Sequence, residues 1–372
     1  MKEKISRLQF FFMIPNILFG KAIGITAGVI VRKIGADVWT AMTIGFIAGT
    51  LTVLLMIYVC SKFPEKTIID YGEQIFGKWI GKFISLILAI YFAYAYAVSA
   101  NVITMHLKEY FLTETPFIVL CIVYTLLCAY GVILGVEVVI RFSLFGFIML
   151  WLINITMVLG TVQDFRFINL QPIFDKGLKT NVLNSYYVFS DIAMVVLSVG
   201  ILYPMINKKK NMGTITFMAM VISTLSIIIW PFFEVGVLGA DVMKQFVVVC
   251  MQQVRSAQLT IYLPRYELIM VSFFVWSVFV QSVVMFWCSL YSFKSILGFK
   301  RDRLLVSIMT PMLILLTNTL GRDHNNYINF LSYPWSQISG VLSISLPVLF
   351  ILGIAMRPKL RKKLKTEVRQ NK

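Results

Sequence analysis

Three charged side chains stand inside stretches that are otherwise apolar: Lys21, Asp191 and Glu234. An ionisable group near the middle of a bilayer costs at least about 3 kcal/mol, so each of them needs an occupation there. Lys21 lies in Phe19-Gly20-Lys21-Ala22-Ile23-Gly24, downstream of Pro15. Proline removes a backbone donor and the glycines weaken the helix around the cation, which frees N–H and C=O groups at membrane depth. Such groups are tolerated where they line a cavity or face a ligand, and broken helices hold solutes in this way. The plainer alternative is that Gly20, Gly24 and Gly28, spaced by four, form a smooth face for close helix packing. A smooth face has no use for an ammonium group, which favours the functional reading.

Asp191 follows Ser190 several residues into another apolar run. It can accept a substrate ammonium, carry a coupling proton or pair with Lys21; a structural salt bridge between helices is the competing role. Glu234, after Trp230-Pro231 near the end of a third run, reads as an interfacial carboxylate or as part of an outer entrance. Of Tyr91, Tyr94 and Tyr96, Tyr94 is nearest mid-helix, although packing is the commoner duty of such tyrosines. The candidate binding residues are therefore Gly20, Lys21, Ala22, Gly24, Tyr94, Ser190 and Asp191.

The chain that positions them has 372 residues, 59% hydrophobic and only 14% charged, with mean hydropathy +0.82. A soluble domain of that length needs more polar surface, so the composition implies an all-α polytopic membrane protein. Apolar runs long enough to span lie near 8–31, 38–60, 83–105, 116–135, 141–160, 184–206, 213–236, 267–292, 304–320 and 337–356, about ten in one transmembrane domain covering 1–372. The outer loop after the seventh run holds a semi-apolar stretch, Phe246 to Met251, that fits a re-entrant or interfacial helix. With ten spans the loops alternate sides, and 23 of the 34 Lys and Arg residues then share the side of the N-terminus. That bias places both termini in the cytoplasm. It also explains the net charge of +17 without nucleic acid, and the basic tail 357–372 can meet anionic lipid.

No signature of hydrolase, kinase or metalloprotease chemistry is present, no catalytic residue is expected, and neither a cofactor nor a metal is implied. Five cysteines without a CxxC pair read as small buried side chains. His106 and His324 fall in separate loops by the span boundaries above.

Several short segments together carry a resemblance. Ile5-Ser6-Arg7-Leu8-Gln9-Phe10 at the start, Phe63-Pro64 with Tyr71-Gly72, Gly77-Lys78-Trp79-Ile80-Gly81, and Arg265-Tyr266-Glu267 with Trp276 are similar to the B-subunit family of bacterial spore germinant receptors. That family lies within the amino acid–polyamine–organocation transporter superfamily, and the likeness runs through almost the whole chain. It implies a LeuT-like inverted five-plus-five repeat with broken first and sixth helices. It further implies recognition of a small nutrient germinant, commonly an amino acid, between those helices, in the inner membrane of a spore. The implied partners are an A subunit and a C-subunit lipoprotein. Two other roles stay open: a proton-coupled amino acid or amine transporter, and a scaffolding subunit without a ligand. One departure stands out. Superfamily members often carry Gly-x-Gly at the first break, where this chain has Gly20-Lys21-Ala22.

Overall fold

A computed structural model describes residues 4–246, 248–256, 266–299 and 301–357. The side chains of Lys21, Ile23 and Tyr266 and the surroundings of Gly24 lie outside the described residues. So do Arg265 and the basic tail from residue 358 onward.

The first helix starts where the sequence provides a cap. Ser6 Oγ accepts from Gln9 N–H at 3.1 Å and Gln9 Oε1 accepts from Ser6 N–H at 2.7 Å, a reciprocal capping box. From there α1 (Arg7–Lys21) runs into a π-helical turn, Ala22–Thr26, and on into α2 (Ala27–Ile34). The backbone stays helical across the junction, with Ala22 at φ −64°, ψ −42° and Thr26 at φ −64°, ψ −43°. The interruption thus widens one turn of the helix without unwinding it. A π-turn rotates the side chains that follow and is a frequent mark of a functional segment.

Next come α3 (Val38–Lys62), the short amphipathic α4 (Ile68–Phe76), α5 (Lys78–Tyr110), α6 (Phe117–Leu134), α7 (Val136–Arg141) and α8 (Ser143–Thr161). The sixth span is also interrupted: α9 (Leu178–Asn184) and α10 (Tyr186–Leu202) meet at a turn on Ser185. Beyond it lie α11 (Met212–Leu238), α12 (Ala240–Met243) and α13 (Val249–Ser256). The last elements are α14 (Tyr266–Leu297), α15 (Asp302–Gly321), α16 (His324–Phe330), a second π-turn at Leu331–Trp335, and α17 (Ser336–Ala355).

Among the described residues, nine helical stretches are long and apolar enough to cross a membrane. The first of those nine begins at Ala27, so α1, with 15 residues, is not counted by itself. Taken with its π-turn it forms the first span, in line with about ten in all. Helix α14 is the central pillar and packs on α5, α8, α1 and α6. Helix α10 is wedged between α3 and α17. Its contact with α3 is close because Gly49 has no side chain: a Cβ there would lie 2.1 Å from Ile192 Cδ1. His106 belongs to α5, which continues past the expected end of its span to Tyr110. The re-entrant or interfacial helix expected at Phe246–Met251 overlaps α13, which starts three residues later, with Val249, Cys250, Met251, Gln253 and Val254 buried.

Candidate functional site

The first and sixth spans are joined at three levels. Near the N-terminus, Ile5 N–H donates to Met205 C=O and Asn207 N–H donates to Ile5 C=O, each at 2.8 Å, forming an isolated parallel bridge with the segment after α10. In the middle, Thr26 Oγ1, the last residue of the π-turn, donates to Asp191 Oδ2 at 2.8 Å. At the far end, Lys33 Nζ donates to the Tyr187 hydroxyl. The same ammonium lies 4.8 Å from the centre of the Tyr187 ring and 5.2 Å from that of Tyr333.

The central contact is the one with chemical content. Thr26 is 3% exposed and Asp191 2%, so their bond forms where an unsatisfied oxygen would cost about 1–3 kcal/mol. Ser190 Oγ lies 3.3 Å from Asp191 Oδ1 and 2.7 Å from the Tyr187 carbonyl. A hydroxyl has one proton to give, and the shorter contact claims it, which makes the Thr26 bond the firmer support of Asp191.

Other walls carry polar atoms that lack a protein partner among the described residues. Tyr91 of α5 stacks on Trp335 of the second π-turn at 5.1 Å between centroids. The Tyr91 hydroxyl lies beside Ser339 and within electrostatic reach of Asp191. Tyr91 Oη, Ser339 Oγ and Trp335 Nε1 are all buried without a hydrogen bond. So is Gln281 Oε1 on α14, whose amide nitrogen touches Met194 Sδ of α10 at 3.3 Å. That free oxygen faces Gly20, where a Cβ would come within 3.1 Å of it and 3.0 Å of Val278 Cγ2. Native cores leave few such groups unpaired, and each calls for an explanation.

Of the residues singled out in the sequence, Gly20 thus abuts α14, and Ala22 is the fully buried first residue of the π-turn. Asp191 of α10 meets Thr26, and Ser190 Oγ lies beside the Asp191 carboxylate. Lys21 closes α1 by its backbone, but its side chain and the setting of Gly24 lie outside the described residues. Tyr94 is half-buried and stacks on Phe330 at 5.9 Å, while Tyr91, three residues earlier, is the tyrosine near Asp191. Sequence reasoning passed over Thr26 and Gln281, which in an apolar run look like routine polar residues bonding to their own helix. Their partners stand 165 residues away for Thr26 and 87 for Gln281.

Glu234 is not a snorkelling side chain. It is fully buried on α11, and neither carboxyl oxygen has a hydrogen-bond partner among the described residues. The sequence put it at the end of a span, where snorkelling is easy; helix α13 folding back over that end closes the route to water.

An all-helical membrane fold, with a π-turn in its first span tied to an acidic residue in its sixth, defines a protein built like a solute transporter. Residues 4–325 match the model of a family described as "Spore germination protein", and the chain belongs to that family, as the resemblance in its sequence implied. It is 24% identical over 347 residues to spore germination protein KB of Bacillus subtilis (strain 168), covering 88% of each chain. It is 25% identical over 373 residues to spore germination protein GerQB of Bacillus cereus, covering 96% of this chain and 98% of that one. Among solved structures it resembles MhsT in complex with L-phenylalanine, with TM-score 0.66, 11% identity and coverage of 95% and 99%. It also resembles Mhp1, a nucleobase–cation symporter with bromovinylhydantoin bound, with TM-score 0.62, 11% identity and coverage of 92% and 78%. At that level of identity the likeness establishes the fold.

Proposed function

We propose that this chain is the B-type subunit of a spore germinant receptor and senses a small nutrient zwitterion at the seam between its first and sixth spans. The observation that carries this reading is the buried Thr26–Asp191 bond at the π-turn, with unpaired polar atoms of Tyr91, Gln281 and Trp335 around it. An amino acid would set its carboxylate against the backbone of Gly20–Gly24 and Lys21, and its ammonium near Asp191 and Ser190. Gln281 Oε1 is a further acceptor for the ammonium, and Tyr91 with Tyr94 would border the side chain.

Occupancy would stabilise one arrangement of the two spans, and a ligand shifts such an equilibrium only by its differential affinity for the two states. The lever is present in the three ties between the spans, which a ligand at the middle one would tighten or replace. The output would pass to an A-type subunit and a C-subunit lipoprotein in the spore inner membrane, with both termini of this chain cytoplasmic. No catalytic step is assigned to the chain.

The experiment is binding and uptake of labelled amino acids by the purified protein in sealed vesicles. Saturable binding without uptake supports sensing. Concentrative uptake that follows a proton gradient would overturn it in favour of secondary transport, the second reading, which the shared fold with solute-bound transporters supports. Neither binding nor uptake, in a protein that still assembles with its partners, would leave only scaffolding.

A further inference from the structure

Glu234 stands on α11, which like the α10 of Asp191 packs against the π-turn, and the ligand model above makes no use of it. Its position follows from a chain of contacts. One turn earlier on α11, Trp230 Nε1 donates to Asn154 Oδ1 of α8 at 2.7 Å, and the Trp230 ring meets Phe19 of α1 edge-on at 6.3 Å. The α11 face bearing Trp230 and Glu234 therefore looks toward α8 and the start of the π-turn, which packs against α10, α11 and α13.

Helix α13 closes this space. Cys250 and Gln253, three apart, share a face of α13. Gln253 Nε2 reaches Met157 Sδ at 3.3 Å and Thr161 Oγ1 at 3.4 Å on α8. Cys250 lies within electrostatic reach of Glu234. Gln253 Oε1, like the Glu234 carboxyl, is buried without a partner among the described residues. Arg32 of α2 holds the entry to α13, donating from Nε to Lys244 C=O at 3.2 Å and from Nη2 to Phe246 C=O at 2.8 Å.

We propose that Glu234 is a proton-binding site: it carries its proton while α13 is seated on the bundle and releases it to the surrounding water when α13 lifts. An isolated carboxylate cannot be kept charged in an apolar interior, and a group so placed takes up a proton instead. Several charged groups nearby have partners of their own. Asp241 of α12 and Lys244 just after it pair at 2.7 Å, and Arg255 of α13 stands over the Tyr110 ring at 5.7 Å. Asp37, before α3, accepts from Phe174 N–H and Asn181, while α8 brings no charged residue. Asp164 and Arg166 belong to the loop after α8, and Lys21 on α1 has its side chain outside the described residues.

The sign follows from proton counting. The seated form holds one proton more than the lifted form, so raising the pH favours lifting, by up to about tenfold per pH unit. The test is hydrogen exchange of residues 249–256 in the full-length protein in lipid nanodiscs, across roughly pH 5 to 8 and corrected for the intrinsic exchange rate. Wild-type protection should fall with rising pH, whereas Glu234→Gln should stay protected and flat. Cys250→Ala should keep the wild-type slope; loss of the slope there would assign the proton to the thiol and overturn the proposal. A flat wild-type profile, or an equal slope in Glu234→Gln, would overturn it as well. Should Glu234→Gln fail to fold, the wild type supplies its own test. A carboxylic-acid infrared band must fade in step with the loss of α13 protection, and a band that does not track protection refutes the assignment.

Discussion

Two buried carboxylic residues flank one π-turn, and they are held in opposite ways. Asp191 accepts from the Thr26 hydroxyl at 2.8 Å, whereas Glu234 has no hydrogen bond among the described residues. A carboxyl with donors aimed at it is fixed in place and presents defined lone pairs. A carboxyl without donors is governed by burial alone, and its charge depends on whether the lid above it is shut. The same chemical group therefore serves as a positioned acceptor on α10 and as a proton store on α11.

This contrast can be broken by substitution. The largest effect belongs to Asp191→Asn, which keeps the shape and removes the charge. Nutrient response should need a concentration higher by tenfold or more, on the order of 2–5 kcal/mol for a desolvated charge pair, in spore dose–response curves with unchanged protein in the membrane. Next comes Thr26→Val, which removes the 2.8 Å hydrogen bond from Thr26 to Asp191 Oδ2. It should lower thermal stability by about 1–3 kcal/mol, with Thr26→Ser restoring most of the loss. Glu234→Gln strands no partner and should leave thermal stability almost unchanged, so equal losses in the two variants would abolish the distinction between the sites.

Smaller effects lie at the rim. Gly20→Ala places a methyl 3.0 Å from Val278 Cγ2 and 3.1 Å from Gln281 Oε1, a strain of about 1 kcal/mol that should weaken ligand binding more than folding. Lys33→Met removes the tie to Tyr187 and the cation–π contacts, about 0.5–1 kcal/mol at a half-exposed position. It should loosen the far ends of α2 and α10, read as faster hydrogen exchange there.

The architecture was largely legible in the sequence because bilayer thickness turns hydropathy into a ruler. Charges out of place in apolar runs singled out three helices, α1, α10 and α11, and all three pack against the π-turn. What could not be read was which neighbours those charges would meet. Thr26 looked like any hydroxyl within a helix, and its bond to Asp191 depends on the packing of two spans far apart in the chain. Tyr91 and Tyr94 differ by less than one turn, yet one reaches the vicinity of Asp191 and the other stacks on Phe330. Glu234 was misjudged because a span boundary says nothing about a later segment, α13, folding back over it. The break in the first span was foreseen from Gly20, Lys21 and Gly24, but its form, a single widened π-turn ending on Thr26, follows from tertiary contacts.

The central claim is that the π-turn and Asp191 form the small-molecule site. Thermal unfolding of the purified protein against a panel of amino acids tests it most directly, because a ligand that binds only the folded state raises its stability with concentration. The account predicts a concentration-dependent upward shift for at least one amino acid in the wild type, retained in Glu234→Gln and lost in Asp191→Asn. An equal shift in Asp191→Asn would contradict it.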